Sequence, residues 1–232
     1  MKKIIEIKKE LANDWFKSLQ KKMIDQFQLI ENEICKKNKK KTKCFVKREW
    51  KKNNKKEGGG TSYILSGGEI FDKVGINQST VSGQFEKKFR SKILGANKNG
   101  GYWASGISVV AHMKNPKIPA LHFNTRFIVT SKAWFGGGMD ATPSFSDKKE
   151  KNSIHQKLKK VCVLNNKDYN KYKKWCDNYF YLPHRNESRG IGGIFFDYET
   201  KDWEKNFKFI KDLGIEFIDI TKIIILNKSK LK

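Results

Sequence analysis

Residues 121–129, LHFNTRFIV, alternate apolar and polar side chains without a slip. Leu121, Phe123, Thr125, Phe127 and Val129 fall on one side; His122, Asn124 and Arg126 fall on the other. Successive side chains of a strand point to opposite faces, so the pattern predicts a strand with one face in a core. Its other face carries an imidazole, a carboxamide and a guanidinium in a row. Just upstream, WASGISVVAH (103–112) predicts a second strand with Ser108, Val110 and His112 on one face. The linking MKNPKIP turns the chain, because its prolines exclude a continuing strand. Two neighbouring strands can thus place Ser108, His112, His122, Asn124 and Arg126 on a common sheet face.

The flanking sequence fills in an α+β protein. Residues 4–34 carry apolar side chains at Ile7, Leu11, Trp15, Leu19, Met23, Phe27, Ile30 and Ile34, the spacing of an amphipathic helix packed on the body. This N-terminal helix region (1–40) gives way, after a lysine-rich loop, to a body over 44–232. In 58–83, glycine turns separate two short apolar strands, YIL and EIF. The triplet GGG there lacks the G-K-[ST] ending of a phosphate loop and is read as a turn or close backbone approach. AWFGGGMDATP (133–143) reads as an aromatic strand, a glycine turn, an acid and a Thr-Pro break. Helices are expected over 147–162 and 167–182, and a strand over 189–198. Asp202 caps a last helix bearing Trp203, Phe207, Ile210 and Leu213, with Gly214 at its end. Strands and helices do not alternate as β-α-β units, which favours a mostly antiparallel sheet in one domain.

The formal net charge is +25, which raises the alternative of a nucleic-acid or polyanion-binding protein. The distribution argues for solvated faces instead. Nearly all the cations are lysines, crowded into KKNKKKTK, KKNNKK and the last dozen residues; the arginines are Arg48, Arg90, Arg126, Arg185 and Arg189. Nucleic acid is therefore not favoured as a partner. Lysine cannot replace arginine where a planar fork must grip a carboxylate, so the surviving arginines mark where geometry matters. All four histidines (His112, His122, His155, His184) lie in the same middle stretch. Their spacings match no metal motif. Cys35, Cys44, Cys162 and Cys176 form no C-x-x-C pair, and no C-x-x-x-C-x-x-C, G-x-S-x-G or G-x-G-x-x-G motif is present. No apolar run reaches the length of a membrane span and no secretory h-region follows the basic start, so a cytoplasmic protein is expected. From the residues alone, the expectation is a pocket with His, Asn, Arg and Asp for an anionic, partly apolar ligand, without an evident cofactor.

KKWCDNYFYLPHRNESRGIGGIFFD (173–197) resembles a signature of the oxygen-dependent coproporphyrinogen III oxidases. GISVVAHMKNPKIPALHFNTR (106–126), WFGGGMDATP (134–143) and EIFDKVGINQSTVSG (69–83) resemble further blocks of that family, in order. The resemblance implies a large antiparallel sheet between helical layers, in a homodimer. It implies oxidative decarboxylation of two propionates of coproporphyrinogen III to vinyls, with O2 as co-substrate and no organic cofactor. On this resemblance, His122 matches a proton donor and Asp140 the acid that contacts pyrrole nitrogens. Arg126 matches a propionate-gripping arginine with Asn124 and Thr125 beside it, and Ser108 matches a substrate contact. Arg185 and Arg189 would hold other carboxylates, with an Arg185–Glu187 pair as the alternative. A divalent metal held by His112, His122, His155 and His184 is an alternative not favoured. Ala141, Ser153 and Asp72 depart from the usual residues. The family's closing Gly-Gly-Arg segment is not found before the chain's end, so a C-terminally truncated member, impaired or reduced to an inactive porphyrin-binding relic, is a further expectation.

Overall fold

A computed structural model describes residues 2–96 and 99–228. The closing residues of the lysine-rich end, 229–232, lie outside the described residues. Helix α1 (Lys2–Lys37) leads into strands β1 (Val46–Lys51), β2 (Gly58–Ser66) and β3 (Phe71–Gln84). A short helix α2 (Lys87–Arg90) precedes β4 (Gly101–Met113), β5 (Ala120–Val129) and β6 (Ala133–Thr142). Helices α3 (Lys148–Leu164) and α4 (Tyr169–Tyr179) follow, then the two-residue strands β7 (Tyr181–Leu182) and β8 (Glu187–Ser188). Strand β9 (Gly192–Glu199) and helix α5 (Trp203–Lys228) complete the order. Seven strands form one antiparallel sheet in the order β1-β2-β3-β4-β5-β6-β9. Among the described residues no helix is long and apolar enough to cross a membrane.

The alternation in β5 is realised residue by residue. Leu121, Phe123, Thr125, Phe127 and Val129 are buried, while His122, Asn124 and Arg126 remain part-exposed on the other face. The buried face packs on α1 and α5. Phe123 stacks on Phe217 of α5 at 4.9 Å, and Phe127 on Phe135 of β6 at 4.6 Å. Each fully buried side chain of this size stabilises the fold by roughly 1.5–3 kcal/mol. Helices α1, α3 and α5 lie over this face. Helix α4 wraps the β9 end of the sheet: Tyr172 meets Phe196 on the core side, and Tyr179 stacks on Phe195 on the opposite side.

Several expectations change in the tertiary structure. The buried stripe of α1 runs Ala12, Phe16, Leu19, Met23, Phe27, Ile30, Ile34, whereas Ile7 and Leu11 are 48% and 47% exposed. An unbroken i,i+4 series drifts around a 3.6-residue helix; alternating steps of three and four stay on one face. Both glycine triplets, read as turns, lie inside strands β2 and β6 instead. There they admit a neighbouring backbone: a Cβ on Gly138 would stand 2.1 Å from the Ile194 carbonyl oxygen. The strand expected at YIL extends over Gly58–Ser66, whereas Glu69 and Ile70 of EIF lie in the turn and the next strand begins only at Phe71. Helix α4 stops at Tyr179 rather than 182, ahead of the β7–β8 hairpin. Asp202 caps α5 as expected, its side chain accepting from Lys205 N at 3.2 Å. The helix, however, runs through Gly214 to Lys228. Gly214 is not a terminus but the crossing point with α1, where a Cβ would meet Leu19 Cδ2 at 2.7 Å.

The turn between β2 and β3 is tied to α1 by a residue with no sequence motif. Glu31 is fully buried; it accepts from the backbone N–H of Glu69, of Ile70 at 3.0 Å and of Phe71 at 3.3 Å. A buried carboxylate is tolerable here because donors converge on it.

Candidate active site

Strand register brings the polar side chains together. Across β4, β5 and β6, Ser108 pairs with Asn124 and Asn124 with Gly138; Val110 pairs with His122 and His122 with Asp140. Arg126 lies between Gly106 and Gly136. These residues share the face away from the helices α1 and α5. They line a cleft of about 400 Å³, to which Arg189 is added by the loop after β8. Tyr179, Phe180 and Phe195 form an aromatic wall.

Asp140 is the centre of the arrangement. It is 3% exposed. One of its oxygens, Oδ2, accepts from Arg189 Nη2 at 2.8 Å and Thr142 Oγ1 at 3.4 Å, and lies 3.3 Å from His122 Nδ1. The other oxygen, Oδ1, takes part in none of these bonds. Burial opposes ionisation of the carboxyl, but the hydrogen bonds and charges of His122 and then Arg189 outweigh it and hold Asp140 below its ordinary value of 3.8. The group is thus a carboxylate at neutral pH, with one oxygen engaged and one available as an acceptor.

Two arginines line the cleft and behave differently. Arg126 donates through Nη2 to Asp197 Oδ2 at 2.5 Å and through Nη1 to Asn124 Oδ1 at 3.0 Å. A guanidinium has five N–H donors, so these two bonds leave three for a ligand. Arg189 lies with its guanidinium carbon 3.9 Å from the Phe180 ring centroid, and its Nε is buried without a protein partner. Contact with the Phe180 ring and the bond to Asp140 fix the guanidinium at the cleft wall, and its remaining Nη donors suit it to an anion there.

Of the residues expected here, Ser108, His122, Asn124, Arg126, Asp140 and Arg189 are brought together. Thr125 is not: its side chain is buried on the core face with Oγ1 unpartnered, as strand alternation requires of the residue between Asn124 and Arg126. Arg185 is not either. It projects from the β7–β8 hairpin and lies 3.6 Å from Glu187, both largely exposed. Asp197, Tyr179 and Phe195 belong to the site and were not picked out from the sequence. The alternation of IFFD, with Phe195 and Asp197 two apart, is the signal that could have found two of them.

The four histidines do not assemble. His112 is exposed at the rim, its ring edge-on to His122 with centroids 5.7 Å apart. His184 is exposed on the hairpin. His155 has both nitrogens engaged, Nε2 with the Ile191 carbonyl at 3.0 Å and Nδ1 with Tyr169 Oη at 2.8 Å. Among the described residues no three His, Cys, Asp or Glu side chains gather as a metal site. This donor set does not fit a shared divalent ion. Cys162 and Cys176 are free thiols whose values burial pushes up to about 12, so they are not thiolate nucleophiles at neutral pH.

Comparison with known proteins identifies the family. A family profile described as "Coproporphyrinogen III oxidase" matches residues 12–232. The chain is 44% identical over 227 residues to the "Oxygen-dependent coproporphyrinogen-III oxidase" of Rickettsia akari (strain Hartford), an alignment covering 95% of this chain and 78% of that relative. It is also 44% identical over 222 residues to the proteins of the same description from Rickettsia rickettsii (strain Sheila Smith) and Rickettsia bellii (strain OSU 85-389), with the same coverage.

Proposed function

The chain belongs to the coproporphyrinogen III oxidase family, and from that premise we propose that it oxidatively decarboxylates coproporphyrinogen III to protoporphyrinogen IX with O2, in haem biosynthesis. Two propionates each lose CO2 and two electrons and become vinyls. The four electrons released reduce one O2, with protons, to two waters. The porphyrinogen is electron-rich, so it can pass electrons to O2 itself once a pyrrole N–H is deprotonated. No organic cofactor enters this scheme.

The observation that carries the reading is the half-engaged Asp140. Arg189 and Thr142 occupy Oδ2 with His122 alongside, while Oδ1 makes none of these bonds. An ionised, oriented acceptor suits pyrrole N–H groups at the middle of a macrocycle. Arg126 and Arg189, both lining the cleft, would grip propionates, with Ser108 and Asn124 as further polar contacts. His122, 3.3 Å from Asp140, would exchange a proton with the reacting substituent. The aromatic wall of Tyr179 and Phe195 offers an apolar surface to a pyrrole ring.

The proposal extends to the whole chain acting as one domain, to a cytoplasmic setting and to a homodimer. Four free cysteines accord with a reducing compartment.

The test is turnover of coproporphyrinogen III by the purified chain, in air and under argon. Protoporphyrinogen, read as porphyrin fluorescence after oxidation, and two CO2 per substrate are expected in air only. Absence of both, together with DNA binding that falls steeply with salt, would instead favour a polyanion-binding protein.

A further inference from the structure

Asp197 sits where β9 breaks its alternation. Gly137 faces Phe196 and Phe135 faces Glu199, so Asp197 and Tyr198 together oppose the single residue Gly136. This is a β-bulge, a device that re-aims side chains. Tyr198 takes up the extra length at φ 57°, a left-handed conformation uncommon for an aromatic residue. Its ring stacks on Trp134 at 5.5 Å. Phe196 and Glu199 consequently both meet Tyr172 on the helix side, through a ring contact and a hydrogen bond at 2.7 Å. Asp197 is left on the cleft side with Arg126.

The Asp197 carboxylate is itself held from three directions. Oδ1 accepts from Trp134 Nε1 at 3.1 Å and from Tyr198 N at 3.0 Å, while Oδ2 accepts from Arg126 Nη2 at 2.5 Å. Its side chain is 17% exposed. The space it occupies exists because position 136 has no side chain. A Cβ on Gly136 would fall 2.2 Å from Asp197 Oδ1 and 3.1 Å from Arg126 Nη2. Gly136 is also the direct cross-strand partner of Arg126.

We propose that Asp197 is the positioning residue for carboxylate recognition at this site: fixed by Trp134 and the bulge, it pins one edge of the Arg126 guanidinium and turns the remaining donors to the cleft. Arg126 is then a fork oriented before the ligand arrives, rather than a mobile cation. This rests on the reading of Arg126 as a propionate grip, and the experiment separates the two.

Side-chain ¹⁵N NMR of Arg126 and fluorescence titration with coproporphyrin III, the oxidised and stable form of the substrate, are measured in four proteins: the parent, Asp197→Asn, Arg126→Gln and the double variant. In the parent, slow guanidinium rotation with resolved Nη signals is expected; in Asp197→Asn these should collapse to an average. Asp197→Asn should bind coproporphyrin III about tenfold more weakly, and should cost nothing further once Arg126 is Gln. Additive losses, or tighter binding by Asp197→Asn, would overturn the proposal, the latter because Asp197 would then be a competitor of the ligand. If the parent binds no coproporphyrin III, the functional reading fails, while the NMR arm still decides the positioning: an Arg126 that stays locked in Asp197→Asn overturns it. Should that variant not fold, Trp134→Phe removes the Nε1–H donor to Oδ1, along with part of the ring that stacks on Tyr198, and is expected to loosen Arg126 and weaken binding about threefold, by the same coupling. An unchanged Arg126 spectrum and affinity in Trp134→Phe would count against the proposal.

Discussion

Arg189 reaches back across 49 positions of sequence to donate to Asp140 Oδ2 at 2.8 Å, while its own guanidinium rests on the Phe180 ring. The bond anchors the loop between β8 and β9 over the cleft. It also offsets the charge of a carboxylate that β6 carries into a buried position, and engages only one oxygen of that carboxylate.

Asp140→Asn keeps the shape and removes the acceptor charge. If, as proposed, the group acts on the reacting state more than on the bound ground state, turnover should fall by about 10²-fold or more, with coproporphyrin binding changed far less. Turnover and binding measured on one preparation decide this. A variant turning over at the parent's rate would remove Asp140 from the chemistry.

Arg189→Gln takes away one of the two groups that offset the burial of Asp140. The carboxyl should then rise from its depressed value, and the acid limb of kcat/KM should move to higher pH. A depressed carboxylate contributes stability that is full above its ordinary value of 3.8 and is lost as pH falls through the folded value. The variant should therefore lose about 1–3 kcal/mol at neutral pH, read by urea unfolding. An acid limb in the parent's position would show that Arg189 does not set this ionisation.

His155 is held neutral chiefly by burial, below its ordinary value of 6.5, between the Ile191 carbonyl and Tyr169. Stability from this group is complete above about pH 6.5 and is lost as pH falls through the folded value, because charging it costs more in the fold than in the open chain. Melting temperature should drop between pH 7.5 and 5, and less steeply in His155→Gln. Parallel pH profiles for the two proteins would contradict this.

Glu31→Gln should destabilise although nearly isosteric. The carboxylate meets backbone N–H groups on both oxygens. An amide must turn its NH2 toward one of these donors, leaving buried groups unpaired. The expected loss is about 1–3 kcal/mol, with the β2–β3 turn the first segment to gain amide hydrogen exchange. Protection of Ile70 and Phe71 equal to the parent's would refute the role.

What was legible in the sequence is what repeats within a few residues. The two-residue period of 121–129 determined a strand with His122, Asn124 and Arg126 on one face and a core on the other, because side-chain direction in a strand is a local property. The blocks around Asp140 and 173–197 pointed to the family, which the comparison bears out. The cap of α5 at Asp202 was equally local, its side chain accepting an N–H three residues on; Asp147 and Asp168 cap α3 and α4 in the same way but were not singled out from the sequence.

Only the tertiary structure decided the rest, and in each case a distant partner sets the outcome. The glycine triplets stay in strands because neighbouring backbones need the room, and Gly214 stays inside α5 because Leu19 of α1 crosses there. Ile7 and Leu11 are apolar yet exposed, since burial depends on where the body meets α1 and not on hydrophobicity alone. Arg185 and Arg189 stand four apart in one motif. The hairpin leaves the first against Glu187, and the following loop carries the second onto Asp140. Asp197 faces Arg126 through a bulge defined by the pairing of two strands. A single strand's sequence carries its own alternation but not the slip in register against its neighbour, and that slip is what places the carboxylate beside the guanidinium.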